Sequence, residues 1–134
     1  MFFKDPEIAI KNITIRAISL QEIDLNVTLE VNNPNIFGVK LKSIIFDVYY
    51  QRGDDWIYVS HGEGGGYDIR PGMNEVTVPI AIKSSALPGA GISALMNGAI
   101  ALQVRGTAAP DFFGFTPKVP FNYTTTVPVK LPGF

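Results

Sequence analysis

Cysteine is absent from the 134 residues, which excludes disulfides, thiolate metal sites and cysteine nucleophiles together. A reducing, cytoplasmic setting is expected on that ground. Histidine occurs once, as His61. No His-x-x-x-His pair is available to a metal, and no Gly-x-Ser-x-Gly elbow stands ready to use the imidazole as a base. Charge is sparse: 17% of residues carry it, 11 basic against 12 acidic, for a net −1. Such a chain has no long-range field to steer it to phosphate backbones, so no nucleic-acid partner is expected. Long apolar runs are missing too, because Pro, Gly or a charge interrupts each one well short of the ~20 residues a membrane helix needs. The opening Met1-Phe2-Phe3-Lys4-Asp5-Pro6 has no basic segment leading into an apolar run and no small-residue cleavage site. No secretory leader and no transmembrane segment are therefore expected, and the chain reads as soluble.

What remains is a folding composition. Apolar residues make up 46% of the chain, too many for it to stay disordered by self-repulsion. A chain of this length buries roughly two-thirds of its unfolded surface in one core. Residues 1–134 are read as a single domain and a monomer.

The clearest pattern lies between Glu22 and Val31, where Ile23, Leu25, Val27, Leu29 and Val31 alternate with Glu22, Asp24, Asn26, Thr28 and Glu30. A helix would scatter those five apolar groups around its circumference; a pleated strand puts them on one face. Ile8, Ile10, Ile13, Ile15 and Ile18 repeat the habit with a slip that predicts a bulge near Lys11 and Asn12. Asn32-Asn33-Pro34-Asn35 ends the second strand, since proline cannot donate to the ladder and asparagine caps tight turns. A third strand runs from Val39 to Gln51, with Phe46, Val48 and Tyr50 on one side and Ile45, Asp47 and Tyr49 on the other. Gly53-Asp54-Asp55 turns it into a return arm, Trp56 to His61, and Gly62–Gly66 reads as a flexible connection.

Val76, Val78, Ile80 and Ile82 mark a fifth strand, which Pro79 assigns to a sheet edge or a bulge. From Ser84 to Gly98 the period of two is lost, and a short helix is predicted at about 91 to 97. Ile100, Leu102, Val104, Gly106 and Ala108 mark a sixth strand, and Val119, Phe121, Tyr123, Thr125, Val127 and Val129 a seventh. The expected fold is mainly β: a two-sheet antiparallel β-sandwich of about seven strands, fibronectin type III-like, with one short helix before the sixth strand.

Three segments in order resemble the water-stress and hypersensitive-response (WHy) domain of folded late-embryogenesis-abundant (LEA type 2) proteins. They are Val31-Asn32-Asn33-Pro34-Asn35 closing an alternating strand, the aromatic Phe46-Asp47-Val48-Tyr49-Tyr50, and the late strand Val76-Thr77-Val78-Pro79-Ile80. The likeness spans nearly the whole chain. It implies a seven-stranded sandwich with one helix, association with drying, cold and pathogen stress, no catalytic residues and no cofactor. For Asn33, Pro34 and Asn35 it implies a structural corner of the fold. The Gly64-Gly65-Gly66 run lies outside the family pattern.

Candidate chemistry is thin. His61, beside the glycines, reads as a solvated loop residue. Asp54, Asp55, Glu63 and Asp68 are imaginable as calcium ligands, but their spacing fits no calcium loop and they read as solvated turn residues. Gly62-Glu63-Gly64-Gly65-Gly66 lacks the Lys-Ser or Lys-Thr and the following helix that a phosphate cradle needs. Catalytic, metal and cofactor sites are therefore all expected to be absent. The strongest binding candidate is Pro110-Asp111-Phe112-Phe113-Gly114-Phe115-Thr116-Pro117. Its Phe112, Phe113 and Phe115 form either a plug for one end of the sandwich or an exposed tip, which Ile36 and Phe37 would extend from the same end. Three functions follow from these readings. The first, which the family resemblance implies, is non-enzymatic stress protection by surface contact with client proteins or membranes. The second is a binding module for an apolar ligand, and the third is a protein-docking domain.

Overall fold

The computed structural model describes residues 4, 6–19, 21–86 and 98–128. Eight strands follow in chain order: β1 (Glu7–Ile18), β2 (Glu22–Asn33), β3 (Val39–Arg52), β4 (Asp55–Gly64), β5 (Tyr67–Ile69), β6 (Gly72–Lys83), β7 (Ala99–Asp111) and β8 (Val119–Pro128). They build two antiparallel sheets that pack face to face, one ordered β1-β2-β6 and the other β4-β3-β7-β8 with β5 also on β3. At the sides β4 lies beside β6, where the Ser60 hydroxyl donates to the Ala81 carbonyl at 2.7 Å, and β1 lies beside β8. The predicted helix over 91 to 97 lies outside the described residues; among the described residues the one helical turn is a 3-10 turn at Ser84–Ala86.

The alternation in β2 does what its period requires. Ile23, Leu25, Val27, Leu29 and Val31 are all buried between the sheets, and β2 runs between β1 and β6 with an unbroken register to β6 from Glu22↔Lys83 to Asn33↔Gly72. The slip in β1 is a bulge at the expected place, because Ile10 pairs with Leu29 and Asn12 with Thr28, leaving Lys11 over. Pro79 sits opposite Asn26 on β6, an edge strand, where its missing N–H breaks no inner ladder.

Two expectations need correction. There are eight strands rather than seven, and Gly62–Gly66 is not a flexible connection. β4 continues through Gly64, opposite Ile44, and after two residues the chain resumes in the same register as β5, with Tyr67 opposite Leu41 and Ile69 opposite Val39. Gly65 and Gly66 bridge that interruption. A side chain at Gly65 would run into the Lys42 carbonyl, and Gly66 (φ 74°) donates its N–H to the Leu41 carbonyl at 3.0 Å. Three residues are too few for a period of two to show, which is why β5 is invisible in the sequence.

Glycine does a second job across the larger sheet. Gly62, Phe46, Gly106 and Phe121 form one row by register, and the Phe46 and Phe121 rings meet edge to face at 6.3 Å. A Cβ at Gly62 would strike the outer edge of the Phe46 ring, whereas one at Gly106 would strike the Ile45 carbonyl and the Phe46 backbone. Gly62→Ala and Gly106→Ala should each lower the unfolding free energy by about 1–3 kcal/mol in urea titrations. Adding Phe46→Leu should recover part of the loss for Gly62→Ala, where the ring is in the way, and none for Gly106→Ala, where the backbone is. Equal stability of either single variant with the wild type would contradict this packing.

Candidate functional site

One end of the sandwich gathers the turns that follow β2, β5 and β7. The first of these is held by buried amides. Asn33, only 2% exposed, donates through Nδ2 to the Phe37 carbonyl at 2.9 Å, while its Oδ1 accepts from the Asn35 backbone N–H at 3.0 Å and from Asn35 Nδ2 at 2.9 Å. Asn35 Nδ2 also donates to the Lys4 carbonyl at 2.8 Å, and Asn35 Oδ1 accepts the Lys4 N–H at 3.0 Å. The Asn35 amide thus imitates a backbone bridge and ties the segment before β1 to the corner. Polar groups this deep must be paired to be tolerated, and here they pair with one another and with backbone. Pro34 needs no N–H partner and fixes the direction of the turn. The chain leaves the corner with Ile36 in water, 96% exposed, and Phe37 half-buried.

The second turn closes β7. Alternation carries through Ala108, Pro110 and Phe112, all facing inward, and the Phe112 ring is 2% exposed. Phe112 and Phe115 then exchange both backbone hydrogen bonds, at 2.7 and 3.1 Å, around Phe113 (φ 53°) and Gly114 (φ 96°). Two consecutive positive φ values are the signature of the tightest hairpin turn. Asp111 Oδ1 accepts the Gly114 N–H at 2.8 Å and fastens it. Phe113 is the one non-glycine residue with positive φ among the described residues, a conformation that costs a side chain with a Cβ about 1–2 kcal/mol. It leaves Phe113 81% and Phe115 63% exposed, with the Phe113 ring 5.9 Å from that of Phe37.

The structure therefore divides the aromatic loop: Phe112 plugs the core, and Phe113 and Phe115 stand outside. It also brings Phe37 and Phe113 together at one end. The stretch begins later than the sequence implies, because Pro110 and Asp111 belong to β7. Sequence reasoning overlooked Met73, 64% exposed and paired with Asn32 at the same end.

The other candidates are scattered. Asp55 pairs with Arg52 at one end of β3 and Asp68 with Lys40 at the other. Among the described residues no three His, Asp or Glu groups converge on a point where a metal would sit. His61 lies on β4, opposite Asp47, and is better connected than its glycine neighbours imply. Its Nδ1 is 2.8 Å from Asp47 Oδ1 and its Nε2 2.9 Å from Glu63 Oε1. Ionised carboxylates only accept, so both ring nitrogens must carry protons for both bonds to form. The hydrogen bond to Asp47, then that to Glu63, raises the His61 pKa above its ordinary 6.5.

The sequence matches the late embryogenesis abundant family LEA_2 over residues 28–125, and the chain belongs to that family. An uncharacterized protein of Methanocaldococcus jannaschii is 25% identical over 127 residues, covering 95% of this chain and 72% of that protein. Among solved structures, an Arabidopsis thaliana protein superposes with a TM-score of 0.76 at 14% identity, covering 99% of this chain and 86% of that one. A second, described as a late embryogenesis abundant protein, gives 0.66 at 12% identity, covering 93% and 71%. These identities speak for a shared fold.

A raised pKa in the folded state means that His61 stabilises the protein fully below its unfolded pKa, and that this contribution disappears as pH rises through the folded value. Proton NMR titration should place the His61 midpoint above 6.5, and His61→Gln should remove the corresponding fall in stability. A midpoint at or below the ordinary value would contradict the two-carboxylate geometry.

Proposed function

We propose that this LEA-type protein protects other macromolecules under water stress by surface contact, without making or breaking bonds, and that the apolar end of the sandwich makes the contact. Family membership supports the stress-related role. One observation carries the choice of surface: Phe113 sits in a backbone conformation unfavourable to it and still exposes 81% of its surface. The ring meets Phe37 at 5.9 Å yet keeps most of its surface in water, and strain retained at an exposed side chain supports a functional reading. The Asn33-Pro34-Asn35 corner supports placing the chain in the water-stress and hypersensitive-response branch of the family. The strand orders β1-β2-β6 and β4-β3-β7-β8 support a fibronectin type III-like connection.

Drying and freeze–thaw cycles of a labile enzyme test the proposal. The wild type should preserve more enzyme activity than an equal mass of albumin, and the double variant Phe113→Ser, Phe115→Ser should fall to the albumin level while melting at a similar temperature. Protection no better than albumin would overturn the reading.

A further inference from the structure

The outward face of the larger sheet is built from different side chains than the apolar end. By register they form rows across four strands: His61, Asp47, Arg105 and Asn122 in one, and Tyr58, Tyr49, Gln103 and Thr124 in the next. Three strand-to-strand steps make each row ~14 Å long. Trp56, opposite Gln51 and two residues from Tyr58, continues the aromatic side of the same face. Tyr58 is exposed and Trp56 half-buried.

These side chains hold one another in place. The Tyr49 and Tyr58 rings meet at 6.0 Å and 76°, and the Arg105 guanidinium lies 4.6 Å from the Tyr49 ring centre. Arg105 Nε donates to Gln103 Oε1 at 2.6 Å, and Gln103 Nε2 donates to Thr124 Oγ1 at 3.1 Å. The network fixes its polar atoms before any ligand arrives, which reduces the ordering that binding would cost. Among the described residues the terminal nitrogens of Arg105 and the side-chain amide of Asn122 have no hydrogen-bond partner. Both residues line an open hollow of about 450 Å³, together with Gly106, Pro120 and Phe121. That volume suits a small-molecule site.

Charge selects the occupant. Within the rows through Ile45, Asp47 and Tyr49 the charged groups are Glu63, His61, Asp47 and Arg105, two of each sign while His61 is protonated. Both carboxylates are turned to His61. A phosphate chain meets no net attraction here, and loss of the His61 proton would leave the face negative. A wholly apolar ligand would cover the Arg105 guanidinium and the Asn122 amide without giving them partners. The face instead suits a neutral ligand with C–H surfaces for the tyrosine rings and many hydroxyls to exchange hydrogen bonds with amide, hydroxyl and guanidinium groups. We infer that the outward face of the β4-β3-β7-β8 sheet is a binding site for a neutral, extended oligosaccharide, which lies across the strands from Tyr58 to the hollow beside Asn122. A single sugar ring is too short to reach from one to the other. The site is separate from the apolar end, and it goes beyond the protective contact proposed there.

Trp56 is the one tryptophan of the chain, so its emission reports on this face. In titrations of the full chain with cellohexaose, mannohexaose and xylohexaose, at least one of these extended β-linked chains should change the Trp56 emission saturably, and glucose should not. Calorimetry with that chain should show Tyr58→Ala and Asn122→Ala each binding ~10-fold more weakly, and Phe113→Ser binding like the wild type. Asn122 is exposed and its side chain has no partner among the described residues, so its variant keeps the fold and decides the matter if Tyr58→Ala melts early. No response to any of the three chains, an Asn122→Ala variant that binds like the wild type, a loss on Phe113→Ser instead, or binding of hexaglutamate in place of the sugars would overturn the site. None of these results bears on protection by the apolar end, which is read separately from enzyme survival.

Discussion

Everything in this protein depends on the packing of one sheet on the other through the buried face of β2. That strand is paired on both sides, to β1 and β6, and its five inward side chains meet the inner face of the larger sheet. A slip of one residue would send all five into water and draw Glu22, Asp24 and Glu30 into the core. The cost of that exchange is far above the stability of a domain this size. Register is therefore fixed along the whole strand, and with it the place where β2 must end. Asn33 is the residue at that end, and its side chain replaces the ladder with a closed set of amide hydrogen bonds. The corner that throws Ile36 outward is a consequence of where the hydrophobic pattern stops.

How much of this could be read from the chain follows from how each part is encoded. Alternation over four or more residues is legible, so β1 with its bulge, β2, β3 and β6 with its edge proline were all in plain view. β7 was legible as far as Ala108 and lost beyond it, because the next inward position is Pro110, which reads as the start of a loop. Carried two further steps, through Pro110 to Phe112, the same alternation would have placed Phe112 inside and left Phe113 outside. The glycine run misled because abundance of glycine signals both mobility and close approach. Here a Lys42 carbonyl and the Phe46 and Tyr67 rings occupy the space that side chains would need. The pairing of His61 with Asp47 was out of reach, since it depends on the cross-strand register of β3 and β4, and so was the meeting of Phe37 with Phe113, residues far apart in the chain.

The apolar end joins two opposite uses of aromatic side chains within four residues. Phe112 is a plug that the core requires. Phe113 is presented to water by a turn whose geometry suits glycine or asparagine better. In a domain whose other large hydrophobic groups are mostly sealed between sheets, that contrast separates the residues that make the fold from those that use it. The turn is held by local hydrogen bonds from Phe112, Phe115 and Asp111, so its shape does not depend on what it touches.

The central claim is that the Phe113 ring serves contact beyond its packing on Phe37, and the stability of Phe113→Asn tests it most directly. Asparagine accepts positive φ readily, which relieves about 1–2 kcal/mol of backbone strain, against about 0.5–1.5 kcal/mol for the lost ring contact with Phe37. Equilibrium unfolding should show the variant as stable as the wild type or more so. A loss much beyond ~1 kcal/mol would mean that the ring holds the fold together, and would contradict the account.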